Sequence, residues 1–111
     1  MKLRNFLTSA LMAASLATTV QAQPVYVATT AIVEHPALDA VRDGVREVLE
    51  EQGYTDQALK FTFESAQGNP AIAAQIARKL AGDTPDVIVA ISTPSAQSAV
   101  SATKDIPIVF S

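Results

Sequence analysis

The feature that most constrains this chain is a strict alternation. Short apolar runs (Val25-Tyr26-Val27-Ala28, Leu59 to Glu64, Val87 to Ile91 and Ile106 to Phe110) are separated by stretches with helical spacing, and every connection is short. A strand that rejoins its sheet after a single helix runs parallel to its predecessor, and such crossovers are almost always right-handed. The order β-α-β-α-β-α-β therefore predicts an α/β fold with a doubly wound, mainly parallel sheet.

Each segment carries local signals. The first run is nearly continuous in apolarity, as expected of a strand covered on both faces. Pro36 suits the first position of a helix whose stripe is Leu38, Val41, Val45, Val48 and Leu49, with Gly53 just past its end. Asp39/Arg42 and Asp43/Arg46 lie at i,i+3 spacing and predict ion pairs on its solvated face. Leu59, Phe61 and Phe63 alternate with Lys60, Thr62 and Glu64, the pattern of an edge strand. Asn69-Pro70 opens a second helix with Ile72, Ala73, Ile76, Ala77 and Leu80 inward, ending near Gly82. The most hydrophobic strand, Val87 to Ile91, belongs at the sheet centre. Beyond it Ser92-Thr93-Pro94-Ser95-Ala96 reads as a hydroxyl cap followed by a helix over residues 94–103, with Ala96, Ala99 and Val100 inward. Ile106 to Ser111 reads as a buried strand.

The N-terminus has its own layout. Lys2 and Arg4 precede the apolar, small-residue stretch Phe6 to Val20 and the small-x-small pattern Val20-Gln21-Ala22, so residues 1–22 read as a secretory signal peptide cleaved after Ala22. The stretch is too short and too often interrupted by Ser and Thr for a membrane span. Residues 23–111 then form the folded part, and its final strand reads as the point where a longer lobe has been truncated. There is no cysteine, hence no disulfide and no lipid-modified cysteine after the signal, which suits a soluble periplasmic protein. With 11 acidic against 8 basic residues, two of them in the signal, the folded part is acidic. Nucleic acid and anionic membrane surfaces are therefore unsuitable partners.

In an open parallel sheet, ligands bind beyond the carboxyl ends of the strands. The segments reaching that edge are Thr29 to His35, Ser65 to Asn69, Ser92 to Ala96, and Ser111, rich in hydroxyl and amide groups and poor in carboxylates. At Ser92 to Ala96, the Ser95 and Ala96 amides with the Thr93 or Ser95 hydroxyl can hold a carboxylate at a helix N-terminus; alternatively, Thr93 only caps its helix. His35, the single histidine, is a poor metal site and fits a ligand contact or a helix-start hydrogen bond. A Ser95/His35 nucleophilic pair is conceivable, but no G-x-S-x-G elbow surrounds Ser95. Gln67-Gly68-Asn69 reads as a plain turn. No phosphate loop and no cofactor motif is present.

Taken in order, Ile32-Val33-Glu34-His35-Pro36-Ala37-Leu38-Asp39, Ala73-Ala74-Gln75-Ile76-Ala77, Pro85-Asp86-Val87-Ile88-Val89-Ala90-Ile91, Ser92-Thr93-Pro94-Ser95-Ala96-Gln97 and Asp105-Ile106-Pro107-Ile108-Val109-Phe110-Ser111 resemble the ABC-transporter substrate-binding proteins associated with tryptophan, tyrosine and phenylalanine uptake. The resemblance implies one partial lobe of a type I periplasmic-binding-protein-like fold, without cofactor, metal or catalytic residue. It also implies an amino acid held in an interlobe cleft and delivery to an inner-membrane ABC permease. Thr30, His35, Thr93, Ser95, Ala96 and Ser111 would be this lobe's share of the cleft, with the second lobe missing from this chain. A sugar or other small polar ligand, and a small serine hydrolase, are the rival readings.

Overall fold

The computed structural model describes residues 23–111, and the signal-peptide reading of residues 1–22 lies outside them. In chain order the elements are β1 (Val25–Ala31), α1 (Pro36–Glu51), a single 3-10 turn (Asp56–Ala58), β2 (Leu59–Ser65), α2 (Pro70–Asp83), β3 (Val87–Ile91), α3 (Thr93–Ala102) and β4 (Ile108–Phe110). The strands form one sheet in the order β2-β1-β3-β4, with every neighbouring pair parallel. Strand β2 is an edge and β3 is internal, as its apolarity predicts.

Alternation along the strands divides the core into two layers. Val27, Ala31, Val89 and Ile91 face α1 and meet Leu38, Val41, Val45 and Leu49. Ala28, Ile88 and Ala90 face α2 and α3 and meet Ala73, Ile76, Leu80 and Ala99. Placing α1 on one face and the other two helices on the opposite face is what right-handed crossovers require when the chain steps outward to β2 and then back past β1.

Helix starts and stops follow local chemistry, with some departures from expectation. Gly53 ends α1 with φ 96°, a value that suits glycine. Helix α2 instead runs through Gly82 and stops at Thr84, which takes the left-handed conformation at φ 50° because Pro85 blocks another turn. Helix α3 begins one residue early, at Thr93, and ends at Ala102.

Four expected inward residues are exposed. Val48 and Val100 are 56% and 53% exposed, each lying about a quarter-turn off the line their helix buries. Val109 and Phe110 are 55% and 69% exposed because β4 is the outermost strand on that side, with no further strand beyond it among the described residues and with α3 meeting Phe110 only along an open groove.

The charged face of α1 is rearranged too. Arg42 binds Asp43 at 2.9 Å and reaches Asp39 only at 3.7 Å, and the Asp43/Arg46 pair is replaced by Arg46 to Glu50 at 3.2 Å. The hydrogen bond that Arg42 Nε–H donates to the Asp43 carboxylate raises the guanidinium pKa above its ordinary value. These guanidinium groups also lie over β2: Arg42 is 4.7 Å from the Phe63 ring centre and Arg46 5.4 Å from that of Phe61. The β2 edge is thereby covered with charge, which discourages pairing with another strand.

Candidate functional site

The direction of winding reverses between β1 and β3, so their carboxyl ends flank the crevice where open parallel sheets bind ligands. Backbone bonds hold four segments around it. The loop after β2 is tied to the end of β1 by Ala66 N–H to the Ala31 carbonyl at 2.9 Å and Gly68 N–H to that of Ile32 at 2.6 Å. Gln67 and Gly68, at φ 55° and 80°, make the turn that this requires. On the other side, Ser111 N–H donates to the Ala90 carbonyl at 3.2 Å and Ser92 N–H to that of Ser111 at 3.0 Å, so Ser111 stands beside the start of α3.

The three helices begin at this edge, and two of them satisfy their own first turns. His35 caps α1, its Nδ1 accepting from Ala37 N–H at 3.1 Å. Asn69 caps α2, its side-chain oxygen accepting from Ala71 N–H at 2.8 Å and Ile72 N–H at 3.4 Å. Helix α3 has no side-chain cap. The capping position is Ser92 and not Thr93, which is already the first helical residue, with Pro94 second. Ser92 has φ 90° and ψ 154°, a combination otherwise almost confined to glycine and costing of order 1–3 kcal/mol.

This geometry corrects which amides are available. Ala96 N–H donates to the Ser92 carbonyl at 3.0 Å and so is already used. Pro94 has no N–H, which leaves the Thr93 and Ser95 amides, neither of which makes a hydrogen bond among the described residues.

The hydroxyls repeat the pattern. Thr29 donates to the Thr62 carbonyl, but the buried Oγ atoms of Thr30, Ser92 and Ser95 have no partner among the described residues. Thr30 and Ser95 are 3% and 1% exposed. A buried polar group left unpaired costs about 1–3 kcal/mol, so three around one crevice demand an explanation.

The structure therefore brings Thr30, Ser95, Ala96 and Ser111 together around the ends of β1 and β3 and adds Ser92, which the sequence reading had not placed among the site residues. No sequence signal marks it, because a serine before a helix ordinarily means a cap. Thr93 lies at the same helix start with its side chain exposed. His35 is exposed on α1, across the sheet from α3, and the bond to Ala37 leaves its Nε2 as the outward donor. His35 and Ser95 are not hydrogen-bonded to each other.

The nearby carboxylate is neutralised. Glu64 pairs across the β1/β2 ladder with Thr30, but Lys79 of α2 binds it and is held protonated above the ordinary lysine range by that contact. An anionic ligand group at this edge therefore meets helix amides and hydroxyls, with Glu64 already paired and Glu34 exposed in the β1–α1 connection.

A parallel lobe of this winding, with its polar edge at the reversal of strand order, is a periplasmic-binding-protein-like domain. The chain belongs to the ABC transporter substrate binding protein family, whose pattern residues 26–111 match. It is 48% identical over 80 residues to a tyrosine-binding protein of Clostridioides difficile (strain R20291), covering 71% of this chain and 23% of that protein. Among solved structures, a conserved domain protein of Vibrio cholerae O1 biovar El Tor is 56% identical with a TM-score of 0.78, covering 79% of this chain and 30% of that one. An ABC domain from Streptococcus pneumoniae in complex with L-Trp is 33% identical with a TM-score of 0.76 and the same coverage. The chain thus spans between 23% and 30% of the length of these relatives.

Proposed function

We propose that this chain supplies one wall of an amino-acid-binding cleft in the solute-binding component of an ABC importer, with an aromatic L-amino acid as ligand. The observation that carries the reading is the start of α3, where two free amides and the buried, unpartnered Ser95 hydroxyl converge at the strand-order reversal. A ligand carboxylate satisfies such groups together, aided by the partial positive charge of the helix end. Thr30 adds a second unpartnered hydroxyl, Ala96 and Ser111 line the same edge, and His35 offers its Nε2–H from the α1 side. The relatives whose names specify tyrosine and L-Trp support the ligand class. The engagement of His35 Nδ1 by Ala37 favours binding over hydrolysis, since a base for Ser95 would need a ring nitrogen within its reach.

A chimera in which residues 23–111 replace the matching segment of the Vibrio cholerae protein provides a complete cleft for the test. Calorimetric titration should show stoichiometric binding of L-tyrosine or L-tryptophan, and Ser95→Ala should weaken it roughly 10- to 100-fold through loss of a charge-assisted hydrogen bond of about 1.5–3 kcal/mol. Silence toward both amino acids would sink the reading.

The proposed site of action is the periplasm, reached by export with removal of Met1 to Ala22 and followed by docking on an inner-membrane permease. N-terminal sequencing of the exported protein should therefore begin at Gln23. Exported material still starting at Met1 contradicts this.

A further inference from the structure

The end of β3 contains a donor and an acceptor that ordinarily find each other and here do not. A serine preceding a helix normally takes an extended backbone and accepts, through its Oγ, from the amide of the second or third helical residue. In this chain that amide is Ser95 N–H. Among the described residues Ser92 Oγ is buried without a partner and Ser95 N–H is likewise unpaired, and Ser92 sits at φ 90° and ψ 154°. The two vacancies have one cause, because the unusual φ carries the side chain away from the capping position.

Such a conformation persists only where the surroundings over-determine it. Here Ser92 N–H is held by the carbonyl of Ser111, just past β4, at 3.0 Å, which fixes the residue from the sheet side, while its carbonyl accepts the ordinary first bond of α3 from Ala96 N–H at 3.0 Å.

We propose that Ser92 is a positioning residue whose glycine-like backbone keeps α3 uncapped, so that the Ser95 and Thr93 amides stay free for the carboxylate of the ligand. This inference rests on the amino-acid reading above and deepens it. The capped alternative, with an extended Ser92 and its Oγ on Ser95 N–H, competes directly with ligand. Affinity then depends on the fraction of molecules in which the cap is open.

Two substitutions separate the backbone from the hydroxyl. Glycine adopts φ near 90° without strain and has no group with which to cap, so Ser92→Gly holds the helix start open. Threonine keeps a hydroxyl, but its β-branch disfavours positive φ, so Ser92→Thr drives the residue toward the capped form.

In the chimera, L-tyrosine or L-tryptophan should bind Ser92→Gly about 3- to 10-fold more tightly than the parent, and Ser92→Thr at least about 10-fold more weakly. Amide hydrogen exchange of the ligand-free proteins supplies a readout that general destabilisation moves the other way. The Ser95 amide should exchange more slowly in Ser92→Thr than in the parent, although neighbouring amides of α3 do not.

The reverse order of affinities, with Thr tight and Gly weak, would mean that the Ser92 hydroxyl touches ligand and would overturn the proposal, as would Ser95 exchange that is not slowed in Ser92→Thr. If the parent binds neither amino acid, the ligand reading fails, and the Ser95 exchange contrast alone decides whether Ser92 holds the cap open.

Discussion

Leu80→Ala should lower the stability of the domain by about 2–5 kcal/mol, which is enough to leave a substantial unfolded population at ambient temperature. The reason lies in how unevenly the two core layers are filled. Between the sheet and α2/α3, most of the buried side chains are alanine, at Ala28, Ala66, Ala73, Ala90 and Ala99, and bulk comes from Ile76, Leu80 and Ile88. Leu80 is 1% exposed and, with Ile88 and Ile91, is among the largest fully buried side chains. Neighbours that end at Cβ cannot swing in to refill the space that it leaves, so little of the cavity collapses. Val48→Ala on the other layer removes a side chain that is 56% exposed and should change stability by no more than about 0.5 kcal/mol. Urea melts followed by circular dichroism would compare the two, and a loss below about 1 kcal/mol for Leu80→Ala would show that the layer repacks.

The alanine content of that layer also explains what the sequence could and could not disclose. The edge position of β2 and the internal position of β3 were legible because Leu59, Phe61 and Phe63 alternate with polar residues, whereas Val87 to Ile91 does not alternate and must be covered on both faces; that β4 forms the other edge was not. The caps of α1 and α2 were legible for the same kind of reason, since Asn69-Pro70 and His35-Pro36 pair an acceptor side chain with a residue that needs no amide partner. Where the signal depended on a tertiary neighbour it failed. Val100 follows Ala99 by one residue, and only the angle at which α3 lies on the sheet decides which of the two is buried. Arg46 had a partner at two spacings, Asp43 and Glu50, and took the one four residues on.

The start of α3 is the sharper case. Ser92-Thr93-Pro94-Ser95 carries every local sign of a capped helix, and the expectation that Thr93 would cap was a reasonable consequence of those signs. The bond from Ser92 N–H to the Ser111 carbonyl competes with the local preference, and Ser111 is a residue that a window of a few residues does not contain. Local rules fail most informatively where tertiary contacts force an unfavourable choice, and such places are enriched in function. The Thr30 hydroxyl was also placed at the edge by sequence, but its lack of a partner among the described residues could be seen only in the folded structure.

The largest effect on binding is expected from geometry and not from any one side chain: residues 23–111 alone should bind L-tyrosine at least about 1,000-fold more weakly than the chimera that restores a second wall. A small ligand in a cleft buries most of its surface, and the edge described here is one-sided. The groups that it presents, the α3 amides with Thr30 and Ser95, address the carboxylate end of an amino acid. The aromatic side chain has no comparable enclosure here, because the edge segments carry no aromatic residue except the exposed Phe110 next to Ser111. Leaving that ring in water forfeits about 1.5–3 kcal/mol, and leaving the ammonium group without its charged partner forfeits a further 1.5–3 kcal/mol. Together these reach roughly 4 kcal/mol, or three orders of magnitude in dissociation constant. Closure of two lobes over the ligand is also impossible with one. Calorimetry on the two proteins side by side makes the comparison, with a thermal melt of residues 23–111 confirming that the lobe is folded under the conditions used. Saturable micromolar binding by the folded lobe alone would show that the edge at Ser92 to Ala96 is a complete site, and the second wall would then be unnecessary for recognition.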